Sequence, residues 1–201
     1  MSPEQLLASG LNKLDLTSVD GLSQDLGVFA EELLKWNRVY NLTAIKRLDD
    51  VVVQHFLDSL SISSFISAET VIDVGTGGGF PGIPLALVHR DKQFRLLDSN
   101  VKKTRFLQQM VIQLGLANCK VLHSRAEDCS ETFGQVVCRA FASLPNIIEY
   151  AGHLVANGGQ LLAMKGQLDE LGAEVQTIES AGSGFELQNI LPLDVPHLEG
   201  E

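Results

Sequence analysis

The sequence predicts an α/β protein with a mostly parallel sheet, preceded by a helical extension. Two observations carry that prediction. From residue 71 onward, short apolar runs alternate with helical patterns, the order that parallel sheets with right-handed crossovers produce. The first such run, Val71-Ile72-Asp73-Val74, passes straight into a loop where Gly75, Gly77, Gly78 and Gly79 supply four of five residues. A strand, a glycine loop and a helix start are how α/β proteins hold nucleotide-like ligands.

The extension comes first in the chain. Leu6-Leu7 to Leu11 suggests a short helix ending near Gly10. Leu22, Leu26, Phe29, Leu33 and Trp36 recur at three- and four-residue steps and predict a helix over 21–40. Asn41-Leu42-Thr43 is a turn signal, because Asn and Thr side chains bond local backbone. Asp49-Asp50 suits the first turn of a helix over 49–65, with Val52, Phe56, Leu57, Leu60 and Phe65 as its apolar face. Residues 1–68 are thus expected to form a helical cap, and 69–201 the sheet domain.

In that domain, strands are expected at 71–74, 93–97, 120–122, 135–138, 159–164 and 185–191. Helices are expected at 82–88, 101–114, 126–129, 144–155 and 168–180. Pro81 and Pro84 fit a first helical turn, where a missing N–H costs little.

A chain of 201 residues, 45% hydrophobic and 20% charged, is long enough for one well-buried α/β domain with a small extension. No apolar run approaches the roughly 18 residues of a membrane span. The N-terminus MSPEQLLASG lacks a basic region followed by an apolar one, so a cytoplasmic protein is expected. Cys119, Cys129 and Cys138 lack metal-ligand spacing and read as reduced thiols; no metal is expected. The net charge of −10 is unevenly spread. Residues 1–70 hold 5 Lys/Arg against 10 Asp/Glu, residues 71–139 hold 9 against 6, and residues 140–201 hold 1 against 9. Only the segment with the glycine loop is net basic. Because salt screens charges beyond about 8–10 Å, this permits a local basic patch.

Three readings of the loop compete. A bare turn would not need four clustered glycines, which give up much conformational entropy. Gly77-x-Gly79-x-x-Gly82 matches the dinucleotide expression, but two residues too late after the strand. No Gly-Lys-Ser/Thr follows, which excludes a P-loop. The third ligand is S-adenosylmethionine. Asp73 would repel a pyrophosphate but attract ammonium and sulfonium charges. Asp98, in LLDS at the end of the second strand, can accept both ribose hydroxyls; the alternative is an N-cap for the next helix. Together VIDVGTGGG and LLDS mark the Rossmann-like class I S-adenosylmethionine-dependent methyltransferase fold.

The series LKWNRVYNLTAI, QHFLDSL, VIDVGTGGGFPGIPLAL, LLDSNVKKTRFLQQM, SRAED, CRAFASL and LLAMKG occurs here in one order. It closely resembles the bacterial 16S ribosomal RNA guanine-N7 methyltransferase G family, also called glucose-inhibited division protein B. The resemblance implies S-adenosyl-L-methionine as cofactor and 16S ribosomal RNA, or the small ribosomal subunit, as partner, and a monomer is expected. By position, Gly75, Gly77 and Phe80 correspond to residues around the methionine and ribose, and Asp98 to the ribose acid. Ala126 and Glu127 correspond to the adenine contact, and Arg139 to a cofactor-side and catalytic residue. The alternatives are a structural ion pair for Arg139 and a solvated helix-start acid for Glu127. Relatives continue past a segment like LEGE with a basic, apolar strand, so the resemblance implies that this last strand is absent from the sequence ending at Glu201.

Guanine N7 has a free lone pair and loses no proton on alkylation, so no general base is expected. CRAFASLP also lacks the Asn/Asp-Pro-Pro-aromatic motif of amino-group methylation. Cys138 follows Val136-Val137 in a strand pattern, which favours burial over a nucleophilic role. Lys102, Lys103, Arg105, Arg125, Arg139 and Lys165 are expected at one edge of the sheet, where they could meet phosphates. Asn41, His55, Asp58 and Ser59 are candidates to tie the cap to the sheet domain, with a satisfied core histidine as the plainer reading of His55. A dinucleotide-dependent oxidoreductase and a non-enzymatic RNA-binding module are the alternative functions.

Overall fold

Helix α1 (Pro3–Lys13) starts on a capping box in which Ser2 Oγ accepts from the Gln5 N–H and Gln5 Oε1 accepts from the Ser2 N–H. The computed structural model describes residues 1–139, 142–166 and 171–198. Helix α1 does not end at Gly10 as expected. Gly10 lies inside it because a Cβ there would collide with the Leu57 side chain, so glycine lets two helices close up. Helix α2 (Leu22–Tyr40) buries Leu22, Leu26, Phe29 and Leu33. It stops at Asn41, which takes φ +51 and donates its N–H to Asn37 O at 3.1 Å.

The helix expected over 49–65 is shorter and uneven. It runs as α3 (Leu48–Val51), a π-helical turn (Val52–Leu57) and α4 (Asp58–Leu60). The Ser61 hydroxyl then donates to Asp58 O at 2.6 Å, competing for a helix carbonyl. Residues Ser63–Phe65 form a separate 3₁₀ turn.

Five strands follow: β1 (Thr70–Val74), β2 (Gln93–Asp98), β3 (Cys119–His123), β4 (Phe133–Arg139) and β5 (Val155–Met164). All pairs are parallel, in the order β3-β2-β1-β4-β5. The chain moves outward from β1 to β3, then returns to place β4 beside β1, so the order reverses there. Helices α5 (Gly82–Val88), α6 (Val101–Gln113), α7 (Leu144–Ala151) and α8 (Leu171–Ser180) lie between and after the strands. The expected start of the last helix at Leu168 lies outside the described residues. Strand β5 begins four residues earlier than expected, because α7 gives way to a 3₁₀ turn at Gly152–Leu154.

The strand expected at 185–191 does not form. The segment runs irregularly after Gly182 and Gly184, both at positive φ. It is fastened by side chains rather than by a ladder: Phe185 packs at Gly152, and Val195 is buried in the main core.

Both sheet faces are covered, as parallel sheets require. Val71, Phe94, Leu96 and Val137 join Leu11, Leu26, Phe29, Phe56 and Phe106 in one core, shared by the extension, α5 and α6. Ile72, Val74, Leu97 and Val136 point the other way, against Ala151 and Leu154. Buried Gln135 links extension to sheet, accepting from the Ser67 and Ala68 N–H groups at 2.8 Å and donating to Phe65 O at 2.8 Å.

Candidate active site

The carboxyl ends of β1, β2 and β3 open onto a cleft of about 420 Å³. Val74 and Gly75 come from the end of β1, Leu97, Asp98 and Ser99 from β2, and Ala126 and Glu127 from the turn after β3. Ser124 and Arg125 beside that turn, Lys103 of α6 and Tyr150 of α7 complete the wall. Open α/β sheets bind ligands in such a crevice outside the strand ends.

The glycine loop is held over the end of β2. The Gly75 and Thr76 N–H groups both donate to Leu97 O, at 2.9 and 3.1 Å, and the Gly77 N–H donates to Asp98 Oδ2 at 3.0 Å. Gly75 and Gly77 take φ of +70 and +60, a region that side chains rarely adopt. Gly75 therefore presents bare backbone to the cleft, while Gly77 lies beside it on Asp98 and is not among the lining residues.

Asp98 is buried, and its Oδ1 accepts from the Asn100 N–H at 2.8 Å. The N-cap of α6 is Asn100, whose side chain accepts from the Lys102 and Lys103 N–H groups at 2.9 and 3.4 Å. The capping role weighed for Asp98 thus falls to its neighbour. Lys103 Nζ lies 3.7 Å from Asp98 Oδ2. A carboxylate has about four lone-pair sites, so Asp98 keeps capacity for hydroxyl donors in the cleft.

Asp73, by contrast, does not line the cleft. It is fully buried beneath the loop, where its Oδ2 accepts from the Gly82 N–H at 2.8 Å. Burial pushes its carboxyl up to about 6, against the opposing Gly82 N–H. Asp73 Oδ1 and Thr76 Oγ1 have no hydrogen-bond partner among the described residues. The direct pull on a cationic ligand expected of Asp73 is not possible from there; its position makes it the support of the loop and of α5. A Cβ at Gly82 would meet the Leu96 side chain and lie 2.7 Å from Asp73 Oδ2, so this support needs glycine.

Arg139 and Phe80 form a second group, beside the extension and outside the cleft wall. Arg139 Nη1 donates to Asp58 Oδ2 at 2.8 Å and to Gln54 O at 3.0 Å. Its Nη2 donates to His55 Nδ1 at 3.0 Å. The guanidinium carbon lies 5.2 Å from the Phe80 ring centre. Phe80 is buried, stacked on His55 at 4.3 Å and on Phe29 at 5.1 Å. Of the tie residues expected from sequence, His55 and Asp58 both grip Arg139. Asn41 is exposed, and the buried Ser59 Oγ has no partner among the described residues.

Cys138 is buried, and burial, then Asp73, push its thiol up to about 12, which leaves no thiolate for attack. The phosphate role expected for Lys165 meets a competitor: its Nζ donates to both Glu174 oxygens, at 2.8 and 2.9 Å. Glu174 also accepts from the Leu144 N–H at 3.2 Å, at the start of α7. Lys102, Arg105 and Arg125 are exposed, with Lys102 Nζ 5.9 Å from the Tyr40 ring centre. Tyr150 escaped the sequence reading because a tyrosine well inside a helix belongs to no loop motif. Thr43 was legible only as a turn residue.

A parallel sheet that reverses beside β1, with a glycine loop and an acid ending β2 at one cleft, defines a class I methyltransferase fold. The structure of ribosomal protein L11 methylase from Lactobacillus delbrueckii subsp. bulgaricus matches with a TM-score of 0.54 at 19% identity, over 69% of this chain and 72% of its own. A SAM dependent methyltransferase from Aquifex aeolicus matches at 0.53 and 18% identity, over 76% of this chain and 87% of its own. At such identities the likeness is one of fold. The particular family follows from sequence: the chain belongs to the rRNA small subunit methyltransferase G (GidB) family, whose model matches residues 22–198. "Ribosomal RNA small subunit methyltransferase G" of Marinobacter nauticus is 44% identical over 97% of this chain and 90% of its own length. The chain is thus an enzyme of the methyltransferase class, and neither the oxidoreductase nor the non-enzymatic alternative finds support.

Proposed function

We propose that this enzyme transfers the methyl group of S-adenosylmethionine to N7 of a guanine in 16S ribosomal RNA. The observation that carries the reading is the convergence of Gly75, Asp98, Ala126 and Glu127 on one cleft. The residues suit the cofactor: a backbone cradle with left-handed glycines, a carboxylate with spare acceptor capacity, and a volume within the usual range for such ligands, about 300–1,000 Å³. Asp98 would hold the ribose hydroxyls, Ala126 and Glu127 the adenine edge, and Gly75 and Gly77 the amino-acid end. The bound cofactor supplies an electrophilic methyl on a sulfonium. Phe80 and Arg139 belong to the reacting end, where Arg139 supplies permanent positive charge and directed donors. Because N7 carries a lone pair and no proton, the chain needs to align and to exclude water, not to abstract; alignment can supply several kcal/mol.

Residues 1–68 act as a helical cap on the methyltransferase domain of residues 69–201. Exposed Lys102, Arg105 and Arg125 meet RNA phosphates. The enzyme works in the cytoplasm, where its thiols stay reduced, and as a monomer. Incubation with labelled cofactor and unmethylated small-subunit ribosomal RNA, followed by mapping of N7-methylguanine, tests the reading. Transfer to another atom or to protein would overturn it.

A further inference from the structure

Two motifs of the extension, WNRVYNLTAI and QHFLDSL, have no role in the cofactor cleft, yet their side chains form one hydrogen-bonded chain that ends on Arg139. Asn37 holds the loop after α2: its Oδ1 accepts from the Thr43 N–H at 2.9 Å, and its Nδ2 donates to Ile45 O at 3.0 Å. Thr43 Oγ1 accepts from the Ile45 N–H at 3.2 Å and lies 2.8 Å from His55 Nε2. His55 Nδ1 in turn faces Arg139 Nη2 at 3.0 Å. An arginine only donates, so His55 Nδ1 must be the bare nitrogen and Nε2 must carry the proton given to Thr43.

The π-helical turn matters to this arrangement. It turns Gln54 O, His55 and, one residue past its end, Asp58 toward the same guanidinium. π-turns inside helices recur at functional sites. The His55 ring also lies flat on Phe80, at an interplanar angle of 16°, so ring plane and lone pair are both fixed.

We propose that His55 is a positioning residue for Arg139. Its Nδ1 lone pair, oriented by Thr43, sets the guanidinium over Phe80 and couples the extension to the carboxyl end of β4. This rests on Arg139 being an active-site residue. The titratable and charged groups facing His55 are Arg139 from β4 and, through it, Asp58 from α4.

The first test reads the tautomer in the intact, cofactor-free chain by ¹⁵N NMR of the histidine rings at neutral pH. His55 should show an unprotonated Nδ1 and a protonated Nε2, and Thr43→Val should mix the tautomers. A protonated Nδ1 in the native chain overturns the proposal, whatever any variant does. The second test is kinetic, in single turnover at saturating S-adenosylmethionine with small-subunit ribosomal RNA. His55→Phe keeps a flat ring on Phe80 but removes the acceptor; it should slow methyl transfer by about tenfold to a hundredfold, the scale of a misplaced group. His55→Asn, which restores an acceptor near Nδ1, should recover most of the rate. In an Arg139→Ala background His55→Phe should add nothing. Equal losses in both backgrounds, or a native rate for His55→Phe beside a slow Arg139→Ala, overturn the positioning role alone. A native rate and cofactor affinity for Arg139→Ala overturn the reading of Arg139 and the positioning role with it.

Discussion

The Gly82 N–H donates to Asp73 Oδ2 at 2.8 Å, so the helix after the glycine loop begins on a fully buried carboxylate. Burial raises the Asp73 carboxyl from 3.8 to about 6. An acid whose folded value lies above its unfolded one favours the fold while protonated; that stability is complete below about 3.8 and is lost as pH rises through 6. Asp73→Asn keeps an acceptor for Gly82 and removes the charge. Its urea midpoint at pH 7.5 should exceed the native one by the equivalent of about 2–3 kcal/mol, and the gap should close by pH 4.

His55 works in the opposite direction. Burial first, and Arg139 second, lower it from 6.5 to about 4. A base held neutral in the fold contributes stability that is complete above 6.5 and lost as pH falls through 4, on the order of 1–3 kcal/mol. The two groups therefore offset each other between pH 4 and 6, and native stability should change little there on their account. Asp73→Asn should unmask the histidine slope and His55→Phe the aspartate slope. Parallel slopes in the two variants would refute this.

Asp98→Ala removes the acceptor for the Gly77 N–H as well as the proposed ribose contact. Calorimetric titration with S-adenosylmethionine should show a loss of about 1–3 kcal/mol, the scale of hydrogen bonds to a charged group. Unchanged affinity in a folded variant would confine Asp98 to bracing the loop.

Two glycines make a matched pair. Gly82→Ala forces a Cβ against Leu96 and Asp73 and should cost about 1–3 kcal/mol, the range of overpacking. Gly27, inside α2, has nothing within 4 Å of an added Cβ. Gly27→Ala should raise stability by about 0.5–1 kcal/mol in the same thermal unfolding series.

Lysines at the sheet's carboxyl edge should separate by partner. Lys102→Ala and Arg105→Ala should weaken RNA binding and flatten its salt dependence by about one phosphate contact each. Lys165→Ala should instead lower the melting temperature, because it leaves Glu174 without its cation. An unchanged salt slope in both Lys102→Ala and Arg105→Ala would place the RNA elsewhere.

Read alone, the sequence determined the alternation of strands and helices, the glycine loop, the acid ending β2 and the family. Such features are local, written in periodicity, glycine spacing and short motifs that need no partner to be recognised. Helix α2 and the strands near the loop were legible because each buries its own apolar pattern. The strand expected at 185–191 was not, since a strand exists only when another offers its ladder, and Phe185 packs at Gly152 instead. The side-chain roles were decided by tertiary structure for the same reason. Asp73 and Asp98 are both buried acids at strand ends, yet packing puts one under the loop and the other in the cleft wall. Arg139 lies more than 80 residues from His55 and Asp58, and only the packing of the extension against the sheet brings the three together.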